Sequence, residues 1–339
     1  LTFPKTKGQR SKIIFAVDFM KAILVKEFGE PEVMKFEDVP TPVAGDSEVL
    51  VRVKAAGVNP VDTYIRAGIH AERPALPYTP GKDAAGIVET VGRNIAKVKA
   101  GDRVFTAGSI SGTYAEFSLC AEDHVSLLPE NVSFEQGAGV FVPYATAFRA
   151  LFQKAKGKSG ETVLVHGASG GVGVAAVQWA KNAGLKVIGT ASSEEGKKLV
   201  KEQGADLVLD HSDKSYFDEI LAITGGKGVE IILEMLANAN LQKDFEVLSM
   251  FGRVVVIGNR GSLDFNPRAA MGKDATIFGM AVFNAPEEDL QEIHGAIYEG
   301  LQTGFLNPVV GRTFPLAEAA EAHHAVIETK AFGKIVLEV

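Results

Sequence analysis

Apolar and polar positions change rhythm along this chain. From residue 20 to about residue 143, short runs rich in Val, Ile and Phe are broken by Gly, Pro and Asp. Strand-like runs fall at 20–25, 48–55, 86–91, 103–107 and 114–119, with turn dipeptides such as Pro80-Gly81 and Gly101-Asp102 between them. Short strands at near-regular spacing predict a β-rich, barrel-like unit. After Pro143 the period lengthens. Residues 144–155 carry helical spacing; strands are then predicted at 162–165, 185–189, 207–209, 229–234, 253–257 and 276–283. Helices are predicted between them at 172–182, 194–203, 216–223 and 241–250. Continuous apolar strands separated by helices of about ten residues predict a parallel sheet covered on both faces. The last stretch predicts helices at 290–303 and 316–328 and a strand at 333–339 that can return to the first unit.

The length of 339 residues suits about two domains. The pattern divides them as 20–143 with 287–339, and 144–286. Hydrophobic residues at 46% and charged ones at 23% indicate a folded chain rather than a disordered one. No run approaches the ~18 apolar residues of a membrane-spanning helix. Cys120 is the single cysteine, which excludes an intrachain disulfide and a cysteine-rich metal lobe. A net charge of −7 argues against a surface that is basic all over, leaving only a local patch for nucleic acid. Residues 1–19 differ: Lys5, Lys7, Arg10 and Lys12 stand against Asp18 alone, and the first residue is Leu. A basic, acid-poor leader fits a transit peptide, but without a long amphipathic pattern it is read as an extension irrelevant to function.

The sharpest motif runs Val163-Leu164-Val165-His166-Gly167-Ala168-Ser169-Gly170-Gly171-Val172-Gly173. A glycine trio alone is weak evidence. Here it ends an apolar strand and opens a helix, the setting in which glycines let the backbone approach a pyrophosphate. The free N–H groups of the helix start then bind the anionic oxygens. An NAD enzyme usually ends its second strand with Asp or Glu; this strand ends Ile188-Gly189-Thr190-Ala191-Ser192-Ser193. Small hydroxyls with Lys197 and Lys198 nearby favour a 2′-phosphate and hence NADPH, although the same residues fit a helix N-cap and a solvated face.

A β-rich unit followed by a dinucleotide unit resembles the medium-chain dehydrogenase/reductase superfamily: a GroES-like catalytic domain with a Rossmann domain. Its zinc enzymes carry Cys within a segment like Gly57-Val58-Asn59-Pro60, and His-Glu within one like Gly81-Lys82-Asp83-Ala84. Asn59 and Lys82-Asp83 stand there instead, and neither an amide nor an ammonium makes a good zinc ligand. No metal is expected. His323-His324, about 100° apart on a helix, are read as ordinary helix residues.

Five phrases narrow the resemblance to the zinc-free quinone oxidoreductases of the ζ-crystallin type. They are Gly57-Val58-Asn59-Pro60-Val61-Asp62-Thr63-Tyr64-Ile65-Arg66, Leu76-Pro77-Tyr78-Thr79-Pro80-Gly81, the glycine turn, Glu234-Met235-Leu236-Ala237-Asn238 and Asn266-Pro267-Arg268. The resemblance implies a cytoplasmic homo-oligomer, dimer or tetramer, that reduces quinones (ortho-quinones in particular) with electrons from NADPH. By position it implies cofactor contacts from Tyr64, from Ser169, Gly170, Gly171 and Val172, from Ser192 and His211 near the ribose and its 2′-phosphate, and from Asn240, Ile257, Gly258, Asn259 and Arg260 along the cleft. Some relatives place a lysine after the second strand and a tyrosine after the third, where Gly196 and His211 stand here. Tyr64 and Asn59 are the candidates for catalytic groups near nicotinamide and substrate oxygen. The same fold also admits a reductase of enones or alkenals. A binding role, for AU-rich RNA or as a bulk structural crystallin, is the alternative outside enzymology.

Overall fold

The computed structural model describes residues 18–213, 215–330 and 332–339. The basic segment 1–17, nearly all of the N-terminal extension, lies outside the described residues. In chain order the first elements are β1 (Phe19–Val25), β2 (Met34–Pro40), β3 (Glu48–Val58), α1 (Pro60–Arg66), β4 (Asp83–Val91), β5 (Arg103–Thr106), β6 (Phe117–Ala121) and β7 (Val125–Leu127). A short α2 (Phe134–Gly137) and α3 (Phe141–Phe148) lead into β8 (Thr162–Val165). Then come α4 (Gly171–Asn182), β9 (Lys186–Thr190), α5 (Glu194–Glu202), β10 (Leu207–Leu209), α6 (Tyr216–Ile223), β11 (Val229–Glu234), α7 (Ala237–Val247), β12 (Leu248–Val256), α8 (Pro267–Met271) and β13 (Thr276–Gly279). The chain closes with α9 (Glu287–Thr303), β14 (Val310–Pro315), α10 (Ala319–Glu328) and β15 (Lys334–Glu338).

Strands β8 to β13 form a parallel sheet in the order β10-β9-β8-β11-β12-β13. The order reverses between β8 and β11, and a crevice opens at such a switch point beyond the strands' carboxyl ends. Val163, Leu164, Val165, Ile231, Ile232 and Leu233 are wholly buried, because helices cover both faces. The β-rich sheet runs β14-β15-β3-β4-β5-β7, with β6 also on β3. The final strand does return: β15 lies antiparallel on β3, from Ile335 opposite Val58 to Glu338 opposite Ala55. Along β3, Arg52 and Lys54 face solvent while Val51, Val53 and Ala55 are buried, the alternation of a sheet wet on one side.

One apolar core joins the two sheets. Phe105 and Ala85 of the β-rich sheet, Phe141 and Tyr144 of α3, Val163 and Ile231 of the parallel sheet, and Ile297 of α9 belong to it. Trp179 of α4 stands edge-on to Phe148 and donates its indole N–H to Tyr144 O at 3.1 Å. The sheets are thereby set against each other by packed side chains.

Four predicted elements need correction. The helix predicted at 241–250 starts at Ala237 and ends at Val247; Leu248–Met250 belong to β12, since Leu248 pairs with Val229 and is fully buried. The strand predicted at 276–283 stops at Gly279, and Val282–Asn284 form a 3-10 turn. In the strand predicted at 114–119, Tyr114 bonds instead to Ile23 and Pro80, and the strand proper is Phe117–Ala121. The helix at 144–155 continues α3 as a π-helical turn, Arg149–Lys154.

Candidate active site

The glycine turn is built by close approach. Ala168 N–H donates to Thr190 O at 2.8 Å and Gly167 N–H to Thr190 Oγ1 at 3.1 Å, which pins the turn to the end of β9. A Cβ at Gly173 would lie 2.4 Å from Gly167 O, so no side chain fits there. Ala168 replaces the usual first glycine without penalty. Its methyl faces Gly189, where a Cβ would come within 2.9 Å of it. Gly170 caps α4 and brings no side chain of its own to the helix's first N–H groups. Backbone donors at a helix start on the switch point form a cradle that suits a pyrophosphate.

Beside it lies a polar recess. Ser192 follows β9, and Ser193 caps α5 by accepting Gly196 N–H at 3.0 Å. His211, after β10, hydrogen-bonds Thr190 Oγ1 through Nδ1 at 3.3 Å, and burial lowers its pKa. The lysines singled out from sequence are occupied: Lys197 pairs with Glu194 at 2.6 Å and Asp210 at 3.2 Å, and Lys198 faces Glu202 at 3.8 Å. A residue that sequence reasoning missed stands in their place. Lys330, arriving after α10, donates to Ser192 O at 3.3 Å. It has no acidic partner among the described residues.

The loops beyond β11 and β12 complete the crevice. Ile257 and Gly258 N–H both donate to Glu234 O, and Ala237 N–H donates to Gly258 O. A Cβ at Gly258 would lie 2.2 Å from Met235 O. Arg260 N–H donates to Asn238 Oδ1 at 2.9 Å, Arg260 Nη1 to Ile327 O at 3.4 Å, and Asn259 Nδ2 to Gly261 O at 2.6 Å. Asn240 Nδ2 is turned toward Glu234 Oε1, which also takes the Leu236 N–H. Below these loops, His166, Glu234 and Asp244 have ligand-type atoms within 4.8 Å of one another, all buried. His166 Nε2 lies 2.9 Å from Asp244 Oδ1 and 3.5 Å from Glu234 Oε2. Burial pushes both carboxyls up to about 7 and the imidazole down. The His166–Asp244 hydrogen bond ties one oxygen of the cluster, while Glu234 Oε2 and Asp244 Oδ2 have no hydrogen-bond partner among the described residues.

Across the crevice, Asn59 caps α1 and is 2% exposed. Its Nδ2 donates to Asp83 Oδ2 at 3.0 Å, and its Oδ1 accepts from Lys334 Nζ. Tyr64 sits half-buried further along α1. Asp62 Oδ2 accepts Asn59 N–H at 2.9 Å and lies 3.4 Å from the Tyr114 hydroxyl, which is 3.2 Å from His323 Nε2. Burial pushes Asp62 up to about 7 and His323 down to about 3. Asp62, Ile65, Tyr78 and Lys82 line a cavity of about 500 Å³. Lys82 pairs with Glu72 at 2.7 Å, and its ammonium lies 5.6 Å from the centre of the Phe283 ring, beyond β13. His323 and His324 diverge, as expected: His324 bonds Glu328 and Glu32 at the surface.

Residues 45–156 match a family profile described as alcohol dehydrogenase GroES-like domain, and residues 171–297 one described as zinc-binding dehydrogenase. The chain is 50% identical over 320 residues to quinone oxidoreductase of Homo sapiens, covering 94% of this chain and 97% of that one. It is 32% identical over 332 residues to quinone oxidoreductase of Pseudomonas aeruginosa, covering 94% and 99%. This chain belongs to the quinone oxidoreductase family. A solved structure of the Escherichia coli quinone oxidoreductase complexed with NADPH superposes with a TM-score of 0.85 at 29% identity, covering 95% and 99%. Within the quinone oxidoreductase family this chain carries an amide and an ammonium, Asn59 and Lys82, at the positions singled out for zinc. Among the described residues no helix is long and apolar enough to cross a membrane.

Proposed function

We propose that this chain reduces quinones with NADPH, the acceptor entering between the two sheets. The observation that carries the reading is convergence. The glycine turn and the loops after β11 and β12 stand at the switch point, and Gly333 and Lys334 join that turn to Asn59 at the head of α1. When bound, NADPH supplies the reducing electrons as a hydride equivalent. The backbone of Ser169, Gly170, Gly171 and Val172 holds the pyrophosphate. Ser192, His211 and Lys330 surround the adenosine ribose and its 2′-phosphate. Asn240 with Ile257, Gly258, Asn259 and Arg260 forms the cleft wall, its loops tied by the Glu234 and Asn238 hydrogen bonds. Tyr64 donates to the acceptor oxygen as charge develops there. Asn59 orients the acceptor, and Asp62, on the wall of the 500 Å³ cavity, holds a proton near neutral pH.

The domain division proposed is 20–143 with 287–339 for catalysis and 144–286 for the nucleotide. Ortho-quinones as preferred acceptors, a homo-oligomeric state and a cytoplasmic site complete the proposal. The test compares NADPH oxidation by 9,10-phenanthrenequinone with that by an alkenal, with NADH in parallel. Quinone turnover at least about tenfold faster, with NADPH preferred, supports the reading. If NADPH neither binds nor raises thermal stability, and quinone causes no NADPH oxidation, the proposal fails. Faster alkenal turnover assigns the chain to double-bond reduction.

A further inference from the structure

Gly333, just before β15, touches the glycine turn: its N–H donates to Ser169 O at 2.7 Å, its φ is +58°, and it bridges Gly170. The next residue, Lys334, is 5% exposed. Its stem runs from the nucleotide side to the acceptor side. A Cβ at Gly171 would lie 3.7 Å from Lys334 Cδ. A Cβ at Gly57 would lie 2.9 Å from Lys334 Cε and 2.1 Å from Ala138 O, so Gly57 leaves the channel through which the side chain passes. Nζ then donates to Asn59 Oδ1 and reaches Asp83 Oδ2 at 3.3 Å. Asp83 is fully buried, and its Oδ1 accepts the Val142 N–H from the first turn of α3 at 3.2 Å.

This arrangement leaves the Asn59 amide one orientation. The carbonyl oxygen must face the ammonium, and the NH₂ must face the carboxylate that already takes Asn59 Nδ2 at 3.0 Å. A flipped amide would set NH₂ against NH₃⁺ and oxygen against oxygen. One Nδ2 hydrogen stays available. Gly333 and the Lys334 side chain therefore connect the glycine turn to the Asn59 amide.

We propose that Lys334 is a positioning residue, which carries the setting of the glycine turn through Gly333 to the Asn59 side chain and fixes its amide for the acceptor. The inference rests on the acceptor-side reading of Asn59, and the experiment separates the two. Lys334→Met, Asp83→Asn/Lys334→Met, Asn59→Ala and the triple combination are compared by thermal melting, NADPH fluorescence titration, and kcat and KM for 9,10-phenanthrenequinone.

Lys334→Met strands a buried carboxylate and lowers Tm; the neutral Asp83→Asn/Lys334→Met pair recovers it. In both, kcat is expected to fall about tenfold or more while NADPH Kd stays within about threefold, since a slightly misplaced group costs turnover more than nucleotide binding. Asn59→Ala falls to a similar level, and adding it to the neutral pair costs nothing more, because both act through one amide. If the neutral pair regains wild-type kcat together with Tm, Lys334 serves stability alone and the proposal is overturned. Multiplying losses in the triple variant overturn it too, for the route would not run through Asn59. If Asn59→Ala alone keeps full turnover, the acceptor role of Asn59 is what fails.

Discussion

Lys197 and Lys198 sit next to the second strand in sequence and are neutralised by Glu194, Asp210 and Glu202. Lys330, 138 residues from Ser192, reaches the same recess with no acid partner among the described residues. Free positive charge is what a 2′-phosphate discriminates by, so Lys330→Met is expected to weaken NADPH binding about tenfold and leave NADH unchanged. Fluorescence titration with both nucleotides at two ionic strengths checks it. Lys198→Met serves as the control and should change neither. An equal loss for NADH would show that Lys330 does not read the phosphate. Ser192 was legible from its place at a strand end, and His211 from the family resemblance alone. Lys330 was not, because its position depends on how the C-terminal return crosses the sheet.

At the scale of elements, β8, β11 and α7 are knotted beneath the nucleotide face by His166, Glu234 and Asp244. Burial raises both carboxyls to about 7, so the folded chain holds more protons than the unfolded one between the ordinary carboxylate range and neutrality. The stabilisation is complete below about pH 4 and is lost as pH rises through 7. Buried neutral His166 and His323, whose pKa values are lowered, push the opposite way below the ordinary histidine value of about 6.5. Tm should therefore fall from about pH 6.5 to 8, and Asp244→Asn, which imitates the protonated acid, should flatten that fall. Asp62 titrates in the same window and leaves a residual slope. Melting curves across this range, with an unchanged slope in the variant, would remove the pair from the explanation. The pattern of the α/β strands was readable because two-sided burial demands unbroken apolar runs. The boundary between α7 and β12 was not: Phe245, Val247 and Leu248 satisfy helix and strand alike, and only the Val229–Leu248 pairing selects the strand.

For the molecule as a whole, β13 is an open edge of the parallel sheet among the described residues, and Ile277 on it is exposed, as are Phe251 on the neighbouring β12 and Met271 on α8. An unpaired edge with apolar neighbours is a liability unless another chain covers it. Sedimentation velocity is expected to give a dimer or tetramer, and Ile277→Asp to shift it to monomer at equal concentration. A wild-type monomer would refute a homo-oligomer, and an unshifted variant would place its interface elsewhere.

Local chemistry was decided in the sequence. Strand-then-glycine-turn-then-helix order, strand ends with small hydroxyls, and an amide and ammonium at the zinc positions all depend on neighbours a few residues apart. Those cues specified the fold class and pointed to the nucleotide cradle and to a site without zinc ligands. Which charges are free and which are paired was decided only by the tertiary structure. Lys330 on Ser192, Lys334 on Asn59 and Asp83, and the carboxyls at Glu234 and Asp244 all join residues far apart in the chain. Their chemistry depends on burial and on a partner's distance, and neither exists until the last strand has returned to β3.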